Sequence, residues 1–421
     1  MGAGALQAVV ALKHRNFRIF WTGQLISLIG TWMQNVAQGW LVLTLTNSPF
    51  LLGLVTAVQF TPMLLFSLFA GVAADRLPKR KLLLVTQSGA ALTALTLGLL
   101  VLTELIKYWH VLVLAAILGT INAFDSPTRQ SFIIELVGKR DLMNAIVLNS
   151  TAFNGARIVG PAVAGFAIDH LGMAPCFLVN AASYLAVIFG LLSLHVDDTS
   201  KDAGPEVMVL SKIKDGLNYI RQTPLILRVL SLMVVMSIFT MNFHVLVPVL
   251  ARDTLGLQAK GYGYLMSAMG IGSIIGAICL AFVSHLGPRW YVIMGGAVGL
   301  CLFQLLLAFN RSLLLALILL GLTGMSMITF VTSVNTTLQL NSPDHLRGRV
   351  MSVYTLVFLG LAPLGSLFSG TVADVGGAPA GLAAGAVIGL FSVAAVLIWS
   401  KQKPLPSTKN HKKCQQENGT G

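Results

Sequence analysis

The sequence predicts an all-α membrane protein, with twelve transmembrane helices in two pseudo-symmetric six-helix bundles. Three observations carry that prediction. Of the 421 residues, 55% are hydrophobic and only 10% charged, with a mean hydropathy of +0.80; an ordinary soluble domain carries about 25% charged residues. Long apolar runs recur along the whole chain. The longest polar stretch, residues 196–224, falls midway among them. A water-soluble monomer, a disordered chain, a collagen and a disulfide scaffold are excluded by this composition. Cys176, Cys279 and Cys301 lie in apolar runs and Cys414 in the tail. None has metal-ligand or redox spacing, so they read as small core residues.

A helix that crosses a bilayer needs about 20 mostly apolar residues. On that rule the spans are 20–45, 50–72, 82–103, 108–126, 145–168, 174–195, 227–250, 262–284, 290–309, 312–335, 350–373 and 379–399. The runs are too long for strands and lack period-two alternation, which excludes an outer-membrane barrel. The first twenty residues lack the layout of a cleaved signal peptide. The formal charge of +13 is explained by topology. With both termini on one side, 23 of the 28 Lys and Arg fall there, in the N-tail, loops 2–3, 4–5, 8–9 and 10–11, the central loop and the C-tail. Lys107, Arg252, Lys260 and Arg311 fall on the other side, and Arg157 lies inside span 5. Positive charge stays cytoplasmic. Both termini are therefore expected in the cytoplasm, with attraction to lipid headgroups and no nucleic-acid partner.

Domain boundaries follow: 1–196 for the first bundle, 197–224 for the central loop, 225–400 for the second bundle and 401–421 for a basic tail. Val209 to Arg221 has the pattern of an amphipathic surface helix. The halves echo each other. Gly160, Gly165 and Asp169 match Gly365, Gly370 and Asp374 at an offset of 205 residues, as Gly71 matches Gly276. A duplicated six-span unit suits a transporter whose bundles rock about a midplane site.

Polar residues inside spans mark the candidate site. Gln24, Ser27, Thr31, Gln34 and Gln38 form one stripe along span 1. Unpaired amides in hydrocarbon are costly, so the stripe either lines a central cavity or bonds between helices. Span 7 offers Ser237, Thr240 and His244 at similar spacing. In span 5, Ser150, Asn154, Arg157 and Pro161 share a helix face. Burying Arg157 costs about 2.5–3.5 kcal/mol on insertion scales. It is expected either to bind an anionic group of a substrate or to hold the interface between bundles. Pro161 permits a kink, and Gly160 and Gly165 permit close helix approach. Trp32 and Trp40 stack a ligand or pack. Proton-carrying candidates are Asp125 and Asp75, then Glu104, Asp169 and His244. No phosphate-binding loop, metal spacing or catalytic constellation appears, so neither a cofactor nor a metal is expected, nor an enzyme.

Loop 2–3 reads Gly71-Val-Ala-Ala-Asp75-Arg76-Leu-Pro78-Lys79-Arg80-Lys81. This resembles the loop 2–3 signature of the major facilitator superfamily, with Pro78 where the pattern has its second Gly. Arg157-Ile-Val-Gly160-Pro161-Ala-Val-Ala-Gly165 is similar to the antiporter signature of the drug and proton exchangers, with Ala156 in place of a Gly and Ala164-Gly165 in place of Gly-Gly. Residues 12–49 and 124–137 resemble most closely the branch holding enterobactin-type siderophore exporters and macrolide efflux pumps. The resemblance implies the major facilitator fold and a gating latch drawn from Gly71, Asp75, Arg76, Arg80, Asp125 and Arg129. In that latch Arg80 and Lys81 pair with acids such as Asp125 and part when the protein opens inward. It also implies export of a drug-like or macrolide-like compound in exchange for protons. A siderophore exporter is the second reading and a non-transporting sensor the third. The setting is the inner membrane of a bacterium, and the expected assembly is a monomer.

Overall fold

A computed structural model describes residues 10–194, 217–283 and 290–402, and all its regular structure is helical among those residues. After a short turn at Val10–Lys13 come α1 (Arg15–Thr46), α2 (Pro49–Arg76) and α3 (Lys79–Leu102). One continuous run, Tyr108–Leu171, holds α4 (108–137) and α5 (139–171), parted at Gly138 by a φ of 70°. α6 is Ala174–Leu192, α7 is 224–254, α8 Ala259–Val283, α9 Trp290–Ala308 and α10 Leu313–Leu340. α11 (344–376) is interrupted at Leu361 and parted from α12 (378–402) at Gly377. Nine stretches of the described residues are long and apolar enough to cross a membrane. Two of them hold two crossings each, and α1, rich in amides, falls outside that measure. The twelve expected spans are accounted for in this way.

The duplication extends to the turns. Gly172 ends α5 with φ 82°, and Gly377 ends α11 with φ 73°, again 205 residues apart. Only glycine adopts such angles without strain. The bundles, α1–α6 and α7–α12, pack internally through close helix approaches. Gly23 and Gly30 of α1 lie against α6, and Gly276 of α8 lies against α10. Of the central segment 197–224, residues 217–222 are helical and α7 begins at Pro224. The remainder of the expected surface helix lies outside the described residues, as does most of the tail.

Two expectations are corrected. Residues 127–137, expected in loop 4–5, are instead the last three turns of α4, because Phe132, Ile133, Leu136 and Val137 are buried against the first bundle's core. Asp125 and Arg129 are therefore helix residues within the bundle. Arg228 is not a loop cation either. It is wholly buried in α7, with its guanidinium 5.4 Å from the Trp399 ring centre.

The bundles meet along two pseudo-symmetric seams, α2 with α11 and α5 with α8. In the first, a Cβ on Gly53 would fall 2.5 Å from the Ser366 carbonyl, and one on Gly370 2.9 Å from that of Pro49. In the second, a Cβ on Gly165 would lie 3.0 Å from the Ala259 carbonyl, while Gly263 presses on Pro161. Both seams lie in the half of the protein away from loop 2–3, called here the far half. Hydrogen bonds joining the bundles gather there and at mid-depth: Ser48 to Asp374, Arg252 to Leu43 and Ser267 to Ile158. In the near half, Met63, Leu64 and Ser67 of α2 and the Gly348–Gly360 stretch of α11 line a cavity of about 430 Å³, with Leu64 touching Gly360. Among the described residues, the far half is closed between the bundles and the near half holds this cavity.

Overpacking a tight contact costs about 1–3 kcal/mol. Gly263→Val is expected to lower the thermal midpoint of the purified protein by several degrees. Gly155→Ala, at a position with open space around it, is expected to leave it unchanged. Thermal unfolding in one detergent checks both.

Candidate functional site

The mid-depth site is built on Trp32. Gly160 brings α5 so close to α1 that a Cβ there would collide with the Trp32 Cβ, and this seats the indole between the bundles. Three side chains surround the ring. The Arg157 guanidinium carbon lies 5.8 Å from its centre. His244 stacks with centroids 6.1 Å apart and planes 25° apart, and Phe153 meets it edge-on at 5.7 Å. Trp32 itself is buried, Arg157 is half-buried, and Phe153 and His244 are exposed. The two exposed rings and the cation thus face open space at the middle of the molecule.

His244 owes its place to a break in α7. Residues Met236–Thr240 and Leu250–Thr254 are π-helical turns, and Met241 and Asn242 leave the helix. Pro248 lies within the short helix Phe243–Val249 that follows. Such π turns concentrate at functional sites, and broken helices line cavities in transporters. The sequence reading missed this break. The one available signal was the proline, which sits too far along to predict a π turn that ends four residues before His244.

Two turns beyond Trp32, the far end is shut. Trp40 stacks on Tyr262 at 6.1 Å and 18°. Arg252 donates to the Leu43 carbonyl at 2.6 Å while pairing with Asp253 at 2.5 Å. Asp374 accepts from the Ser48 hydroxyl at 2.7 Å and from the Phe50 backbone N–H at 3.1 Å. A carboxylate at the start of α2 is favoured by the unpaired N–H groups and dipole of that helix end. This clasp ties α11 of one bundle to α2 of the other.

The span 1 stripe is placed differently from the cavity expectation. Gln34 accepts from Asn180 of α6 at 2.7 Å, Gln38 donates to Gln59 of α2 at 2.9 Å, and Thr31 lies 3.5 Å from the Tyr184 hydroxyl. Gln24 and Ser27 are buried on the same side, where Gly23 and Gly30 press on α6. The stripe joins helices within the first bundle, and the opposite side of α1, with Trp32, Gly39 and Trp40, meets the second bundle. Thr240 is likewise buried inside its own bundle, against Met236 and α12. Asn154 turns its amide onto the Ser150 carbonyl at 2.8 Å. Of the antiporter-like motif, Gly160 seats Trp32, while Pro161 and Gly165 form the seam with α8.

The expected latch residues divide into three groups. Asp125 is buried, 4% exposed, and pairs with Arg129 on its own helix. It also accepts from Thr86 at 2.8 Å and Gln87 at 2.7 Å. Arg80 does not reach Asp125 in this state. It donates to the Leu191 and Leu192 carbonyls at 2.7 and 2.9 Å, closing the end of α6. Asp75 and Arg76 are exposed at the near end of α2, and Gly71 has open space beside it. Lys79 pairs with Glu135 at 2.5 Å. No cluster of metal-ligating side chains occurs among the described residues.

Comparison with known proteins places these features. A family profile described as "Transmembrane secretion effector" matches residues 7–418. The staphyloferrin A transporter of Staphylococcus aureus is 27% identical, over 86% of this chain and 90% of that one. The multidrug efflux pump Tap of Mycolicibacterium fortuitum is 28% identical, over 81% and 85% respectively. Among solved structures, a bacterial homologue of the human lysosomal transporter Spinster, inward-facing and unoccupied, superposes with a TM-score of 0.74 at 12% identity, over 92% of this chain and 96% of that one. That likeness shows the shared fold.

Removing the clasp is expected to loosen the far end. In a chain freed of its own cysteines, Gly39→Cys lies beneath the clasp, next to Tyr262. Adding Asp374→Ala is expected to speed its labelling by a membrane-impermeant maleimide applied at the far side several-fold. An unchanged rate would deny the clasp its role.

Proposed function

The chain belongs to the transmembrane secretion effector family of the major facilitator superfamily, and from this we propose that it exports a small amphipathic or hydrophobic, drug-like compound. It is a multi-pass membrane transporter, and the relatives it matches are transporters. The observation that carries the export reading is the division of the protein into a far half held shut between bundles and a near half parted around open space, with Trp32, Arg157 and His244 between them. The excess of Lys and Arg near loop 2–3 supports assigning the near end to the cytoplasm. On that assignment the structure is the cytoplasm-open state, ready to load. Export then requires the near halves to close and the Asp374 clasp to part, so that the mid-depth site opens to the exterior of a bacterial inner membrane. Because one chain supplies both bundles and the whole site, a monomer suffices.

A siderophore substrate is the second reading. The named relative from Staphylococcus aureus supports it, and so does a cation at mid-depth suited to an acidic ligand. Proton exchange is supported by Asp125, a carboxylate buried in a span where an ionisable group is costly. Protonation would weaken its pairing with Arg129 and loosen α4 within the bundle. Closure of the near end is assigned to Gly71, Asp75 and Arg76, whose exposed position leaves room for the second bundle to approach. Arg80 serves by holding the end of α6.

Expression in an efflux-deficient host, scored for drug susceptibility and siderophore secretion, tests the function directly. A rise in resistance or secretion that disappears when an ionophore collapses the proton gradient supports exchange. Export indifferent to the ionophore removes it. Asp125→Asn is expected to abolish gradient-driven export while sparing substrate counterflow, and equal loss of both would assign Asp125 a structural task instead.

A further inference from the structure

In a transporter, a charged group at mid-depth constrains the charge of the cargo. Several cations of this molecule have protein partners. Arg129 has Asp125, Lys79 has Glu135, Arg252 has Asp253 and a carbonyl, and Arg80 has two carbonyls. Arg157 differs. Among the described residues its guanidinium meets neither an acid nor a hydrogen-bond acceptor, and its one specific contact is the face of Trp32. A guanidinium presents five N–H donors in a planar fork that fits a carboxylate bidentately. Held at mid-depth in a membrane protein, a charge without a protein partner is costly. A ring face returns only about 0.5–2 kcal/mol. A transporter retains such a group when the missing partner arrives with the cargo.

The neighbours extend the description. Phe153 and His244 flank the Trp32 ring on its edge and face, and both are exposed to the open space that Arg157 enters. Trp32 is buried and unable to stack a ligand itself; its task is to hold the cation from beneath. Phe153 and His244 are the accessible planar surfaces. The arrangement is a fixed cation beside two rings, which matches an acidic group attached to a planar or aromatic body.

We propose, building on the transporter function assigned to this same site, that the substrate is an organic anion, a carboxylate joined to an aromatic or similarly flat group. Its carboxylate lies on Arg157 and its flat group against Phe153 and His244. Hydrogen bonds to charged groups are among the stronger polar contacts. A matched acid is therefore expected to bind roughly ten- to a hundredfold more tightly than its neutral ester.

Dansylglycine and its methyl ester differ in that one charge and report binding by fluorescence. With the full chain in nanodiscs, the acid is expected to outbind the ester at least tenfold. Arg157→Gln is expected to remove that preference while leaving the affinity for the ester nearly intact, and Arg157→Lys to restore part of it. Phe153→Ala is expected to weaken acid and ester alike. Thermal midpoints near that of the unaltered chain establish that each variant is folded. Equal binding of acid and ester, an Arg157→Gln variant with its preference intact, or binding of neither probe overturns the proposal. Export in the susceptibility screen is scored separately. Ester carried into proteoliposomes as readily as acid would leave the transporter standing and the anion site refuted.

Discussion

Hydrocarbon offers no hydrogen bonds, so each polar side chain in a membrane span must find its partner inside the protein. The positions of the helices follow from that requirement. The Gln34 and Gln38 amides of α1 meet Asn180 on α6 and Gln59 on α2, which fixes how α1 is rotated within the first bundle. With its amides turned inward, α1 presents Trp32, Gly39 and Trp40 to the second bundle. The same constraint explains why Asp125, deep in α4, is surrounded by Arg129, Thr86 and Gln87. It also makes Arg157 informative, a mid-depth cation resting on the face of Trp32.

Between the bundles a different rule operates. In the seams of α2 with α11 and α5 with α8, glycines bring backbone directly against backbone. Small-residue seams depend on close van der Waals packing, and they separate without breaking a large polar network. Among the described residues, polar ties across the boundary lie at the far end, where Asp374 meets Ser48 and Phe50, and at mid-depth, where Ser267 meets Ile158. A protein that must alternate between two openings benefits from that division. Buried side-chain pairs hold each bundle together, and close backbone seams join them.

Much of this was legible in the residues alone. Span count and the duplication rest on hydropathy and on glycines at a fixed offset, which are properties of the chain itself. The offset of 205 proved structural at Gly165 and Gly370, which occupy equivalent places in the two seams, and it extends to the turn glycines Gly172 and Gly377. What the sequence left open was direction. Helical periodicity places Gln34 and Gln38 on one face but says nothing about which neighbour that face meets. Trp32, one residue from Thr31 and two from Gln34, lies about a third of a turn away and reaches the other bundle. The charges of residues 127–137 point to a loop between spans 4 and 5, though buried Phe132, Ile133 and Leu136 keep the stretch helical. The π turns of α7 leave no pattern in composition, since they arise from how that helix packs.

The central claim is that two rigid bundles rock about the Trp32–Arg157–His244 site. The direct measurement is a pair of inter-bundle distances by pulsed electron paramagnetic resonance in nanodiscs, one between labels at Met143 and Leu340 in the near half, the other between labels at Thr44 and Val375 in the far half. Rocking predicts two populations for each pair, with the near distance shortening whenever the far distance lengthens as pH or substrate is varied. A single unchanging distribution for both pairs, under conditions where transport proceeds, would contradict it.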